Sequence, residues 1–281
     1  MRGTKFMKIF EIIDGDKDNS VGTLLYYEKE RTCIVELQEY LDEWSAPFLF
    51  ANYVKNKIYT IPRDVSALWV RGRVIPSGRQ NISDILKVHH LKEYDEMKFL
   101  ELSEGRCSQD EMYIRQLDKL PEFVVERQQK NLSECVILGA DNILCFFRDG
   151  NTRKIDLKKI LKKDSVVQPL DRLAGLDKVL DHDSLYKSGK IGTGGYFVTF
   201  NDSIDIPADI LYGSGEEIPL GLGDFKTFVR HNIIDTTESC DMLECSRQNI
   251  SYMVNQGQMS AVKEAVRGNL YLKGEILSNR W

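Results

Sequence analysis

The chain has 281 residues, room for one large domain or two to three small ones. With 42% hydrophobic and 29% charged residues, 7 Pro and 20 Gly, its composition excludes wholesale disorder, collagen-like repeats and low complexity. There are 38 basic and 43 acidic residues, a formal charge of −5, so any contact with nucleic acid or anionic membrane has to be local. The longest apolar stretch, 46–51, falls far short of the roughly 18–20 residues of a spanning helix. The N-terminal run meets acid at Glu11 and Asp14 and carries no signal-peptide core, so a cytoplasmic protein without membrane association is expected. Six singly scattered cysteines, with no C-x-x-C pair, read as free thiols in a reducing compartment and not as a zinc site.

In chain order, Leu24–Tyr27 and Thr32–Leu37 flank the charged turn 28–31 and predict a β-hairpin. Helix-period apolar residues then predict helices over 39–44, 81–88 and Glu96–Leu102, the last stopped by Gly105. A second hairpin is expected at Ile143–Phe147 and Thr152–Leu157, around Asp149-Gly150. The two hairpins align without gaps, Leu24 on Leu144, Thr32 on Thr152 and Leu37 on Leu157, which suggests two related α+β modules in tandem. A helix over Leu173–Leu180, a glycine-rich 189–195, a strand Tyr196–Phe200 and a turn at Asn201-Asp202 follow.

The segment 131–215 resembles a small bacterial domain of unknown function, catalogued as family 2442. The resemblance rests on Phe146-Phe147-Arg148-Asp149-Gly150, Lys154-Ile155-Asp156-Leu157, Phe197–Phe200 with Asn201-Asp202, and Ile206-Pro207-Ala208-Asp209-Ile210-Leu211-Tyr212. It implies a compact α+β fold and no activity. Gly213-Ser214-Gly215 and Gly221-Leu222-Gly223 are the best candidate for a linker, dividing the chain into modules at 1–130, 131–215 and 224–281.

Motifs for chemistry are weak. Asp14–Asp18 starts like a calcium loop but lacks the turn glycine and the bidentate glutamate, so it reads as an acidic turn. Gly192–Gly195 precedes a strand and no Gly-Lys-Ser/Thr follows, which argues against a phosphate loop. The basic stretch Arg71–Arg79 beside Trp69 suits phosphate or carboxylate contact, and capping of the following helix suits it better. His182 between two aspartates reads as a solvated loop. No enzyme constellation stands out, and no metal or cofactor is expected.

The last 46 residues say more. Thr236-Thr237 are expected to cap a helix 238–243, with Cys240 and Leu243 facing inward. Ser246 is expected to cap a second helix, 247–256, closed by Gly257. At about 100° per residue, Ile250, Met253 and Val254 form one stripe. Gln248, Ser251, Tyr252 and Asn255 gather on the opposite side, flanked by Arg247 and Asn249. A small hairpin is expected behind it, carrying Lys263 and Arg267. Ser246-Arg247-Gln248, Gly257 and Arg267-Gly268-Asn269 give residues 236–281 a resemblance to the excisionase- and MerR-type winged helix-turn-helix.

That resemblance implies sequence-specific binding of double-stranded DNA and transcriptional regulation. The implied contacts are Arg247, Gln248, Asn249, Ser251, Tyr252, Asn255, Lys263 and Arg267. Residues 236–281 hold five basic and five acidic side chains, so one copy supplies little attraction for phosphate. A homodimer or a protein partner would make up the deficit. The alternative is a non-enzymatic adaptor, antitoxin-like or accessory to a mobile element, using the same helices for protein contacts.

Overall fold

The computed structural model describes residues 7–164, 172–217, 222–266 and 268–280. They form a mixed α+β structure of antiparallel sheets. Contacts divide the chain into two units, Met1–Val124 and Val125–Trp281.

In the first unit, β1 (Met7–Asp14), β2 (Asn19–Tyr27) and β3 (Thr32–Leu37) form the expected meander, with Leu24 opposite Val35 and Tyr27 opposite Thr32. The turn after β1 contains Asp18, in the left-handed region. After α1 (Ala51–Lys55), β4 (Thr60–Ile61) adds to the β3 edge; helices α2 (Arg63–Arg71), α3 (Ile82–Val88) and α4 (Glu96–Leu102) follow. Strand β5 (Met112–Leu117) closes the order β4-β3-β2-β1-β5. Every residue of β3 is buried, because α2 covers one face of its strand. Ser66 of α2 stitches the two together: its Oγ accepts Val35 N at 3.0 Å and donates to Ile61 O at 3.2 Å.

Two expectations fail here for clear physical reasons. Residues 39–44 form turns, not a helix, because the Asp42 carboxylate accepts Trp44 N, Ser45 N and Ser45 Oγ, a local alternative to helical bonding. Within the basic stretch 71–79, whose Arg71 and Arg79 are exposed, Arg73 is not free for an anion. Arg73 is buried, its guanidinium 4.1 Å from the Trp69 ring centre, donating to Gly105 O at 3.0 Å and paired with Asp110 at 2.5 Å. Asn81 makes no side-chain cap to α3. Arg73→Met should destabilise this unit by about 3 kcal/mol, since the Asp110 charge and the carbonyls lose their donor. Urea unfolding followed by the fluorescence of Trp44 and Trp69 measures it; an unchanged midpoint would contradict it.

Helix α5 (Glu122–Arg127) carries the chain across the division. The second unit opens on β6 (Leu132–Ile137), β7 (Asn142–Phe147) and β8 (Thr152–Asp156), another meander, then α6 (Leu157–Asp164). The paired residues are not those of the gapless alignment. It would set Leu144 opposite Ile155, whereas Leu144 pairs with Lys154. The loop is one residue longer, a shift that exchanges the faces of one strand against its partner. A different likeness does recur. Ile61-Pro62-Arg63-Asp64 and Ile206-Pro207-Ala208-Asp209 each end a strand and enter a helix with proline at the N-cap.

Beyond α6, the expected helix at 173–180 is shorter, α7 (Leu176–Asp181), because Gly175 turns left-handed before it. Helix α8 (Asp183–Lys187) and strands β9 (Lys190–Ile191), β10 (Phe197–Phe200) and β11 (Ile204–Pro207) follow. The turn between β10 and β11 has Asn201 and Asp202 both at positive φ, as a tight hairpin turn of this hand requires. The glycine-rich loop is packing, not phosphate binding. A Cβ on Gly195 would lie 2.1 Å from Leu132 O, while Gly194 O accepts Asn131 Nδ2 at 3.1 Å and Arg148 Nη2 at 2.9 Å.

The residues that carry the family-2442 resemblance tie this unit together. Tyr212 OH donates to Asp149 at 2.7 Å and its ring meets Phe147 edge-on at 5.0 Å. Within the stretch 213–223, residues 215–217 are bonded to the sheet: α9 (Ala208–Ser214) gives way to β12 (Glu216–Glu217), which pairs with β8. Gly215 O accepts Arg153 Nη1 at 2.8 Å. Residues 218–221 lie outside the described residues, and the segments expected as modules 131–215 and 224–281 share one unit.

Candidate nucleic-acid interface

The C-terminal segment is built from α10 (Leu222–Asn232), β13 (Ile233–Ile234), α11 (Thr236–Leu243), α12 (Arg247–Asn255), β14 (Lys263–Val266), β15 (Gly268–Leu272) and α13 (Lys273–Ser278). The cap of α11 is Asp235, not the threonines after it. Its carboxylate accepts Thr237 N and Glu238 N, and Glu238 accepts Asp235 N in return, a reciprocal capping box that the sequence reading missed by one residue. Helix α11 ends with Glu244 in the left-handed region and Cys245 N donating to Cys240 O at 3.1 Å. Three residues, Glu244 to Ser246, separate α11 from α12.

Ser246 then caps α12, its Oγ accepting Asn249 N at 3.3 Å. The helix stops one residue earlier than expected, at Asn255, with Gly257 at φ 65°. Gly257 N donates to Val254 O and Gln258 N to Met253 O, which satisfies the last carbonyls. Ile250 is 1% exposed in a core with Leu243, Met259, Tyr271 and Ile276, and Met253, Val254 and Cys240 pack against it. Burying such side chains stabilises by roughly 1.5–3 kcal/mol each, so the orientation of α12 is fixed by its apolar stripe.

Gln248, Asn249, Ser251, Tyr252 and Asn255 are all exposed, Tyr252 at 58%. Among the described residues, the side chains of Gln248, Ser251 and Asn255 make no hydrogen bond. Arg247 is exposed and donates to Thr237 Oγ1 at 3.1 Å, which joins the start of α12 to α11. Lys263 is exposed on β14 of the hairpin β14–β15. Arg267 lies outside the described residues. Asp241, Glu244 and Glu264 are also exposed, so acids and bases alternate on this surface. Among the described residues no cluster of three or more His, Cys, Asp or Glu side chains is placed to hold a metal, and no helix is long and apolar enough to cross a membrane.

Glu134 is a residue that sequence reasoning missed. It lies on β6, 6% exposed, and accepts Cys135 N at 3.0 Å and Gly274 N at 2.6 Å, joining β6 to α13 across 140 residues. Burial pushes its carboxyl up to about 7, against the opposing pull of the two backbone donors and of Lys273. Its one sequence signal is a lone acid inside the strand-like run 132–138.

Comparison with family models, with curated proteins and with solved structures finds no match for this chain.

Because the carboxyl titrates higher in the fold than its ordinary 4.5, folding favours its protonated form. The native state should therefore lose stability as pH rises from about 4.5 to 7, by about 3 kcal/mol in all, and level off above. Glu134→Gln should remove that component. Thermal unfolding of both proteins from pH 4.5 to 8 isolates it, since every other group is common to the two curves. Parallel curves would show that Glu134 is not the group responsible. Gly274→Ala should cost at least about 2 kcal/mol, because its Cβ would lie 2.4 Å from Ser133 O.

Proposed function

We propose that residues 236–281 are a winged helix-turn-helix that binds double-stranded DNA in a sequence-dependent way and acts in transcriptional regulation, with α12 in the major groove and β14–β15 as the wing. The observation that carries this reading is the outer face of α12. Among the described residues Gln248, Ser251 and Asn255 make no side-chain hydrogen bond there, while Ser246 caps the start of the helix and Gly257 and Gln258 meet its last carbonyls. Gln248 at the start of the helix offers the donor–acceptor pair that matches adenine. The charge balance asks for two copies on a paired half-site, as a homodimer. The two units are read as diverged copies of one module, on the shared meander and the repeated Ile-Pro-x-Asp entry into a helix.

The alternating charges favour a second reading, an adaptor that uses the α12 face and the exposed Val262 for a protein partner. The two separate on DNA. Gln248→Ala should weaken the preferred site by about 1–3 kcal/mol with little change on random sequence. Lys263→Ala and Arg267→Ala should weaken all sequences alike and reduce the salt slope by about one unit each. Fluorescence anisotropy against a site selected from genomic fragments, at stated salt, reads both. An intact, folded protein with no DNA binding at low salt would leave the adaptor.

A further inference from the structure

A groove of about 950 Å³ runs between the β6 side of the second unit and the hairpin β14–β15. That is within the size range of small-molecule sites. Its walls are mainly apolar: Leu132 and Phe146 from the sheet, Phe228 and Ile233 before α11, Val262 and Leu270 from the hairpin. Phe146 and Phe228 meet edge-on at 5.2 Å, so one side is already fixed. Glu134 lines the same groove, and its carboxylate is held there by two backbone amides with no ion pair among the described residues.

The basic groups nearby do not supply that pair. Arg148 is committed to Gly194 O at 2.9 Å and Gln128 Oε1 at 3.3 Å. Lys263 is exposed, and Lys273, whose charge opposes the effect of burial on Glu134, forms no ion pair with it among the described residues. Glu275, the other acid of the lining, accepts Ser260 N at 2.7 Å.

We propose that this groove binds a small apolar molecule carrying a single ammonium group, its hydrocarbon part between the sheet and the wing and its ammonium on the Glu134 carboxylate. The cost of desolvating that carboxylate is already met in the folded chain, as its titration near 7 reflects. An arriving cation therefore gains an attraction that is little screened by water. The ligand would touch Val262 and Leu270 on the hairpin that holds Lys263, so occupancy would bear on the wing; that consequence rests on the DNA-binding reading, whereas the binding itself does not.

The test is isothermal titration of the full chain at pH 8, without DNA, with 1-naphthylmethylamine and with the neutral isostere 1-naphthalenemethanol. The amine should bind at least about tenfold more tightly than the alcohol. Glu134→Gln should bring the amine down to the alcohol's affinity and leave the alcohol unchanged. Val262→Lys, an exposed position where a cation is added at the rim, should weaken the amine more than the alcohol; it decides the matter if circular dichroism shows Glu134→Gln unfolded. Equal binding of the two probes, an amine affinity that neither variant changes, or no heat from either probe would overturn the proposal. A chain that binds the amine but no DNA would keep the groove and overturn only the DNA reading.

Discussion

A buried carboxylate without an ion pair is costly, and Glu134 of the second unit is one. Glu134 is tolerable where it stands because two amides point at it, and one of them, Gly274 N, comes from 140 residues away. That donor exists only if α13 starts against β6, and only a residue without Cβ fits the approach. Gly274 leads directly to Ile276, which is fully buried with Ile250 and Tyr271. The position of α12 on the unit thus follows from a chain of contacts that begins at one acid. Such a link contributes little net stability and much positional selectivity, because any other seating of α13 would strand the charge.

The same device recurs nearby. Arg148 and Asn131 converge on Gly194 O, and Gln128 Nε2 donates to Tyr196 OH at 2.8 Å, so a left-handed glycine loop is held by buried polar groups. Each donor would be expensive to leave unpaired, which makes the loop's path unique. The three cysteines in the cores follow the opposite logic. Burial pushes the thiol of Cys33 up to about 12 and raises those of Cys135 and Cys145 well above the ordinary thiol value, so they behave as small apolar side chains.

What was legible in the sequence had a local cause. The hairpin at 24–37, helix Glu96–Leu102, the Asn201-Asp202 turn, and the Ser246 cap and Gly257 stop of α12 all depend on residues within a few positions of one another. Short-range competition defeated the reading at 39–44, where the Asp42 side chain outbids the helix, and at Thr236, where Asp235 has the better-placed carboxylate. Register was beyond reach, since one extra loop residue moves Leu144 from Ile155 to Lys154 without disturbing the hydrophobic alternation. Arg73, Glu134 and Gly274 were illegible for a different reason. Gly105 O lies 32 residues from Arg73 and Gly274 N 140 from Glu134, and composition marks an arginine as a surface cation until its carbonyls are seen.

Charge sets the terms on which the candidate interface would work. Sequence-independent attraction to DNA grows with the number of phosphates neutralised, and this segment has as many acids as bases. A surface so balanced binds random sequence poorly, and a larger share of its discrimination would have to come from hydrogen bonds at base edges. That division suits α12, whose exposed face is amide, hydroxyl and phenol with Arg247 at one end. On the DNA-binding reading it would also place weight on the hairpin β14–β15, because Lys263 is one of only five basic residues of the segment, and displacing that hairpin would alter a large fraction of a small electrostatic attraction. On that reading, a ligand in the groove whose wall is the hairpin would bear on DNA binding. The fewer the phosphate contacts, the more each depends on where the wing is held.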